Sequence, residues 1–160
     1  MNKTLLLGAL LLGAGCGGGP GTRQAAEFNL PDLSGKLTAL SSFRGKPVLV
    51  NFWATWCDSC REEMPDLEAL HRRRSPEGFI LLGLSIDEDA SKVPPFVQKF
   101  GLTFPVLFSD KKTSQSYAVR GLPTAFLIDA EGRVARRWVG PLDARAVEND
   151  ILALLNRRPL

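Results

Sequence analysis

Asn51-Phe52-Trp53-Ala54-Thr55-Trp56-Cys57-Asp58-Ser59-Cys60 joins two different sequence patterns. Upstream, Pro47-Val48-Leu49-Val50-Asn51-Phe52-Trp53 is β-rich and apolar on both faces, as expected of a central strand in a covered sheet. Downstream, Met64, Leu67 and Leu70 recur at helical spacing, which predicts a helix over 58–74. The two cysteines therefore fall on the first turn of a helix. Unpaired N–H groups and the helix dipole favour negative charge there and can lower a thiol pKa. A thiolate is the attacking species in disulfide exchange, so this pair can cycle between dithiol and disulfide. C-x-x-C alone also suits a structural disulfide or half a zinc site. A closed zinc site takes about four N/S ligands, and the chain offers only Cys16, Cys57, Cys60 and His71.

Working outward, Phe28 to Thr38 reads as two short alternating stretches about Ser34-Gly35, a hairpin signal. Pro65 lies inside the first helix, where it removes the bond to the Arg61 carbonyl and predicts a kink. Phe79 to Ile86 is a second buried strand. Asp87 to Ala90 and Pro94-Pro95 start a further helix, which runs to Phe100 and stops at Gly101. A short strand over 104–108 and a short helix over 113–119 follow. Residues 124–129 and 133–139 flank Ala130-Glu131-Gly132 as an antiparallel hairpin, and an amphipathic helix closes the chain over 143–155. Alternating strands and helices, then a hairpin and a helix, imply an α/β fold: a mixed sheet with helices on both faces.

The chain has 160 residues, 44% of them hydrophobic and 23% charged, which suits one core-forming domain with a short extension. Its net charge of +3 comes from mixed signs. The only dense basic run, His71-Arg72-Arg73-Arg74, ends a helix, where cations complement the dipole. Nucleic acid is therefore not an expected partner. Met1-Asn2-Lys3 and the apolar Thr4 to Leu12 form the n- and h-regions of an export signal, too short to span a bilayer as an ordinary helix. Gly13-Ala14-Gly15-Cys16 resembles a bacterial lipobox, although Gly13 stands where Leu, Val or Ile is usual. By that resemblance Cys16 is lipidated and anchors the mature protein to a membrane. Ordinary cleavage after Gly15 and an uncleaved anchor are the alternatives. Residues 16–26, with Gly17-Gly18-Gly19-Pro20-Gly21, read as a flexible tether. The expected organisation is thus signal peptide 1–15, tether 16–26 and folded domain 27–160.

The strand, the C-x-x-C, the helix and the later Gly121-Leu122-Pro123-Thr124 ahead of a hairpin together resemble the thioredoxin superfamily. More narrowly, Phe52 to Pro65 is similar to the W-x-x-W-C-x-x-C-x-x-E-x-P signature of the TlpA/ResA-like group. Those are membrane-tethered extracytoplasmic thiol-disulfide oxidoreductases, several serving cytochrome c maturation. The resemblance covers about residues 27–156. It implies a thioredoxin-like fold with an N-terminal β-hairpin extension and a helix-containing insertion. It also implies a reductase of protein disulfides, apocytochrome c among them, working in the periplasm or on the outer face of the membrane.

In that reading the redox centre is the Cys57–Cys60 disulfide, with no other cofactor, and a membrane dithiol partner supplies electrons. The proline matching Pro123 is cis beside the disulfide and presents backbone groups to an extended substrate. Leu122 and Trp56 face that substrate. Glu63, three residues beyond Cys60, lies on a neighbouring helix face. A partly desolvated carboxyl there has a raised pKa and can exchange protons with Cys60, and the matching glutamate of relatives tunes thiol acidity. Asn51 stands where many thioredoxins carry a buried aspartate. Asp58-Ser59 replaces the Gly-Pro of thioredoxin, and the Asp58 anion disfavours a Cys57 thiolate, which favours reductant behaviour. Trp53 is read as core, Glu62 and His71 as surface.

Two other functions fit parts of the chain. Residues 30–48 also resemble the start of a peroxiredoxin, but position 54, where T-x-x-C needs threonine, is Ala54. A non-catalytic tethered binding module with a structural disulfide is the second.

Overall fold

The computed structural model describes residues 23–156. Cys16, the export signal and most of the expected tether lie outside the described residues.

A short antiparallel hairpin pairs β1 (Asn29–Pro31) with β2 (Leu37–Ala39). Its turn is held by Asp32, whose Oδ1 accepts from the Ser34 and Lys36 amides at 2.8 and 3.0 Å. Residues ahead of it are also engaged: Gln24 bridges to Arg133, and Ala25 is buried. The packed region therefore starts before residue 27, because a small apolar side chain and a free backbone edge both find partners there.

Then come β3 (Val48–Trp53), α1 (Asp58–Arg74), β4 (Ile80–Ser85), α2 (Val93–Phe100), β5 (Val106–Phe108), α3 (Lys111–Ser116), β6 (Thr124–Ile128), β7 (Val134–Val139) and α4 (Ala144–Leu155). Helix α1 continues through Pro65. Gly101 ends α2 in the left-handed region, φ +61°, a conformation glycine adopts without steric penalty. Helix α3 starts two residues before the expected 113, because the Asp110 carboxylate caps it by accepting from the Thr113 amide at 2.6 Å.

The five main strands are ordered β5-β4-β3-β6-β7. Strands β3, β4 and β5 run parallel, while β6 is antiparallel to both β3 and β7. All six residues of β3 are buried, as its unbroken apolar run requires of a strand covered on both sides. Alternation sends Leu49, Asn51 and Trp53 to one face and Val48, Val50 and Phe52 to the other. The first face packs against α1, α2 and α4 through Met64, Leu67, Phe96, Val147 and Ile151. The second is covered by Phe28, Leu30 and Leu40 of the N-terminal segment and by Tyr117, just past α3. Tyr117 ties those pieces together, donating its hydroxyl to the Ala26 carbonyl at 2.8 Å. The result is the expected α/β thioredoxin-like architecture: a mixed five-stranded sheet, an N-terminal hairpin, and helices packed on the sheet.

Register positions the site. Phe52 pairs with Thr124, so Pro123 lies level with the end of β3. Trp53 pairs with Ser85, so the residues after β4 reach the same end. Three loops thus converge where β3 hands over to α1.

Candidate active site

Cys57 has extended backbone, φ −91° and ψ 109°, and is the N-cap residue of α1. Its Sγ accepts from the Cys60 amide at 3.2 Å. That donor is one of the N–H groups a helix leaves unpaired in its first turn, and it stabilises charge on Sγ when the bond is reduced. Cys57 and Cys60 form a disulfide. Cys57 retains 7% exposure and Cys60 none, so Cys60 cannot meet a partner directly. Ser59 Oγ lies 3.6 Å from Cys57 Sγ.

One turn further along α1, Glu63 is buried on the same side as Cys60. Its Oε1 accepts from Asn51 Nδ2 at 3.0 Å, and its Oε2 from the Leu142 amide at 3.1 Å. Burial outweighs those two bonds and pushes the carboxyl up to about 7. The expected desolvation of Glu63 is therefore present. Asn51 reaches Glu63 because strand alternation turns it towards α1.

Asp58 is almost fully exposed, with its Oδ1 3.1 Å from an Arg61 guanidinium nitrogen. Its field at the sulfurs is accordingly weaker than a lone carboxylate's. Glu62 is exposed, as expected. His71 is only partly at the surface: it is half-buried, edge-on to Phe104, with Nδ1 enclosed and unpartnered among the described residues. Desolvation lowers its pKa. It lies about 16 Å from Cys60 along α1, too far to share a metal with the cysteines.

The Leu122–Pro123 peptide is cis, and Pro123 is buried. Beside the disulfide is an open groove of about 410 Å³, lined by Trp56, Cys57, Ile86, Val119, Arg120, Gly121 and Leu122. Trp56 is 65% exposed, while Trp53 is buried in the core. The expected pair Trp56 and Leu122 thus shares one groove with Cys57.

Asp87 is a residue the motif reading passed over. It accepts from the Thr55 amide at 3.0 Å and from Ser85 Oγ at 2.8 Å, with a further bond from Thr55 Oγ1. It fixes the turn that delivers Cys57. The available signal was its position just past the C-terminal end of a parallel strand, where α/β sheets place their sites. The Leu142 amide could not be found that way, since it comes from the distant β7–α4 loop.

Residues 22–137 match the AhpC/TSA family. Thiol-disulfide oxidoreductase ResA of Bacillus anthracis is 39% identical over 119 residues, spanning 74% of this chain and 69% of that protein. Thioredoxin-like protein YneN of Bacillus subtilis (strain 168) is 34% identical over 131 residues, 81% of this chain and 77% of that one. Among solved structures, a Chlorobium tepidum protein described as a thiol:disulfide interchange protein DsbE superposes with a TM-score of 0.80 at 33% identity. It covers 84% of this chain and 97% of its own. With its C-x-x-C disulfide at the strand-to-helix junction, the chain belongs to the thioredoxin-like AhpC/TSA family, among the ResA/DsbE-like thiol-disulfide oxidoreductases.

Proposed function

We propose that this enzyme reduces disulfides in protein substrates outside the cytoplasm, with Cys57 as nucleophile and Cys60 as resolving thiol. The observation that carries the reading is the asymmetry of the pair: Cys57 is the more exposed residue and lines the groove, and its Sγ sits on the Cys60 amide at the helix start. The Cys57 thiolate attacks one sulfur of the substrate disulfide, forming a mixed disulfide and releasing the other sulfur as a thiolate. Cys60, as thiolate, then attacks Cys57 Sγ and releases the second substrate sulfur. The substrate gains two electrons and two protons, and Cys57–Cys60 is oxidised. Glu63, held near neutrality, takes the proton Cys60 gives up.

The reducing direction has support from two carboxylates near the pair, Asp58 and Glu63. Both disfavour thiolates, and a dithiol of higher pKa is the stronger reductant. Reducing equivalents come by exchange from a membrane dithiol protein. A lipid on Cys16 holds both exchanges near the bilayer and raises effective concentration. Pro123 and Leu122 guide an extended substrate past Cys57, and apocytochrome c is the first client to test. The peroxidase alternative lacks its threonine hydroxyl, since the buried Ala54 stands three residues before Cys57.

The test is reduction of a protein disulfide by the full chain with a dithiol donor. Wild type turns over, and Cys57→Ser does not. Equal rates for the two would overturn the reading, and rapid hydrogen peroxide turnover by the reduced protein would favour the peroxidase instead.

A further inference from the structure

The groove beside Cys57 carries a cation that the exchange chemistry does not use. Seven of the described arginines, Arg44, Arg61, Arg72, Arg73, Arg74, Arg133 and Arg136, are ion-paired with carboxylates, and Arg137 donates to the Ala118 carbonyl. Arg120 is exposed, lines the groove, and has no hydrogen-bond or ion-pair partner among the described residues. The two carboxylates that flank the disulfide loop are otherwise engaged: Asp58 with Arg61, and Asp87 with Thr55 and Ser85. The remaining walls, Trp56, Ile86, Val119 and Leu122, are apolar.

An apolar wall beside a guanidinium strengthens a charge pair relative to open water, and the planar fork of arginine fits a carboxylate with two parallel hydrogen bonds. We propose that Arg120 is a specificity residue: it binds an acidic side chain lying within a few residues of the disulfide cysteine in an extended polypeptide substrate. The mixed disulfide fixes the substrate sulfur at Cys57, so a carboxylate a few residues away meets Arg120 as an intramolecular partner. This assignment rests on the reading of Cys57 as the sulfur that attacks protein disulfides.

The test uses the full chain, reduced beforehand and freed of reductant. It is mixed in single turnover with two disulfide peptides identical except for Glu or Gln beside the attacked cysteine. In wild type the Glu peptide reacts about fivefold faster, a size suited to a partly exposed charge pair. The preference falls to about one in Arg120→Gln, reverses in Arg120→Glu, and shrinks with added salt. Equal rates for the two peptides in wild type, or the same preference in Arg120→Gln, would overturn this assignment alone. Failure of both peptides to react would overturn it together with the reductase reading. Oxidised glutathione is the third arm. If it reacts faster than the Glu peptide, and equally dependent on Arg120, the carboxylate belongs to a small thiol and the polypeptide assignment is wrong.

Discussion

Asn51 Nδ2 donates to Glu63 Oε1 across 3.0 Å, between the central strand and the helix that carries both cysteines. Glu63 is 5% exposed, and the Leu142 amide on its other oxygen comes from the far end of the chain. Two neutral donors do not offset the loss of water around a carboxylate. The acid consequently holds its proton to about pH 7.

Folding stability should record this. The native carboxyl binds a proton up to about 7, whereas the unfolded one releases it near its ordinary 4.5. Between those values the native state binds more protons, so stability falls as pH rises from 4.5 to 7, by about 3 kcal/mol in total. Urea unfolding of the oxidised protein across that window should show the decline in wild type and lose it in Glu63→Gln. Parallel curves for the two would return Glu63 to solvent.

Asp58 is screened by water and by Arg61, so its effect on the potential is small in size and fixed in sign. Asp58→Asn stabilises the thiolate and should raise the reduction potential by about 10–20 mV; Arg61→Gln should lower it. Equilibration with glutathione measures both. A fall in Asp58→Asn would remove Asp58 from the electrostatic basis of the reducing direction.

Asp87 gathers Thr55 and Ser85 at the end of β3 and β4. Asp87→Ala leaves those donors to water and should cost about 2 kcal/mol of stability. It should also slow exchange at Cys57, whose approach turn loosens. Asp87→Asn, which keeps one acceptor oxygen, should recover part of both. Chemical denaturation and thiol-exchange rates check this, and wild-type values for Asp87→Ala would contradict it.

Gly83 is paired with Asn51 in the sheet. A Cβ there would lie 2.8 Å from the Phe104 ring and 3.0 Å from Trp53 Nε1. Gly83→Ala should therefore destabilise by about 1–3 kcal/mol through overpacking, seen as a lower denaturation midpoint. No change would mean that Phe104 moves aside freely.

Local signals made most of the fold legible. The apolar run of β3, the helical period of 64, 67 and 70, the Gly101 stop and the hairpin about Ala130-Glu131-Gly132 each act within a few residues. The C-x-x-C at the junction identified the redox pair for the same reason. Contacts between distant segments were harder to read. Leu142 meets Glu63 only because α4 packs against α1, and His71 is half-buried because Phe104 folds over it. The Asp110 cap is local and sets the start of α3 at Lys111, two residues ahead of the expected 113. Covering of the second sheet face by residues 25–40 followed from burial of the whole of β3, although no local pattern names the cover.

The central claim is that Cys57 attacks and Cys60 resolves. Its most direct measurement is mass spectrometry of the mixed disulfide formed when reduced Cys60→Ser and Cys57→Ser variants of the full chain meet an oxidised protein substrate. The account predicts a stable adduct on Cys57 in Cys60→Ser and little or none on Cys60 in Cys57→Ser, because Cys60 is fully enclosed. An adduct accumulating on Cys60 at a similar rate would contradict it.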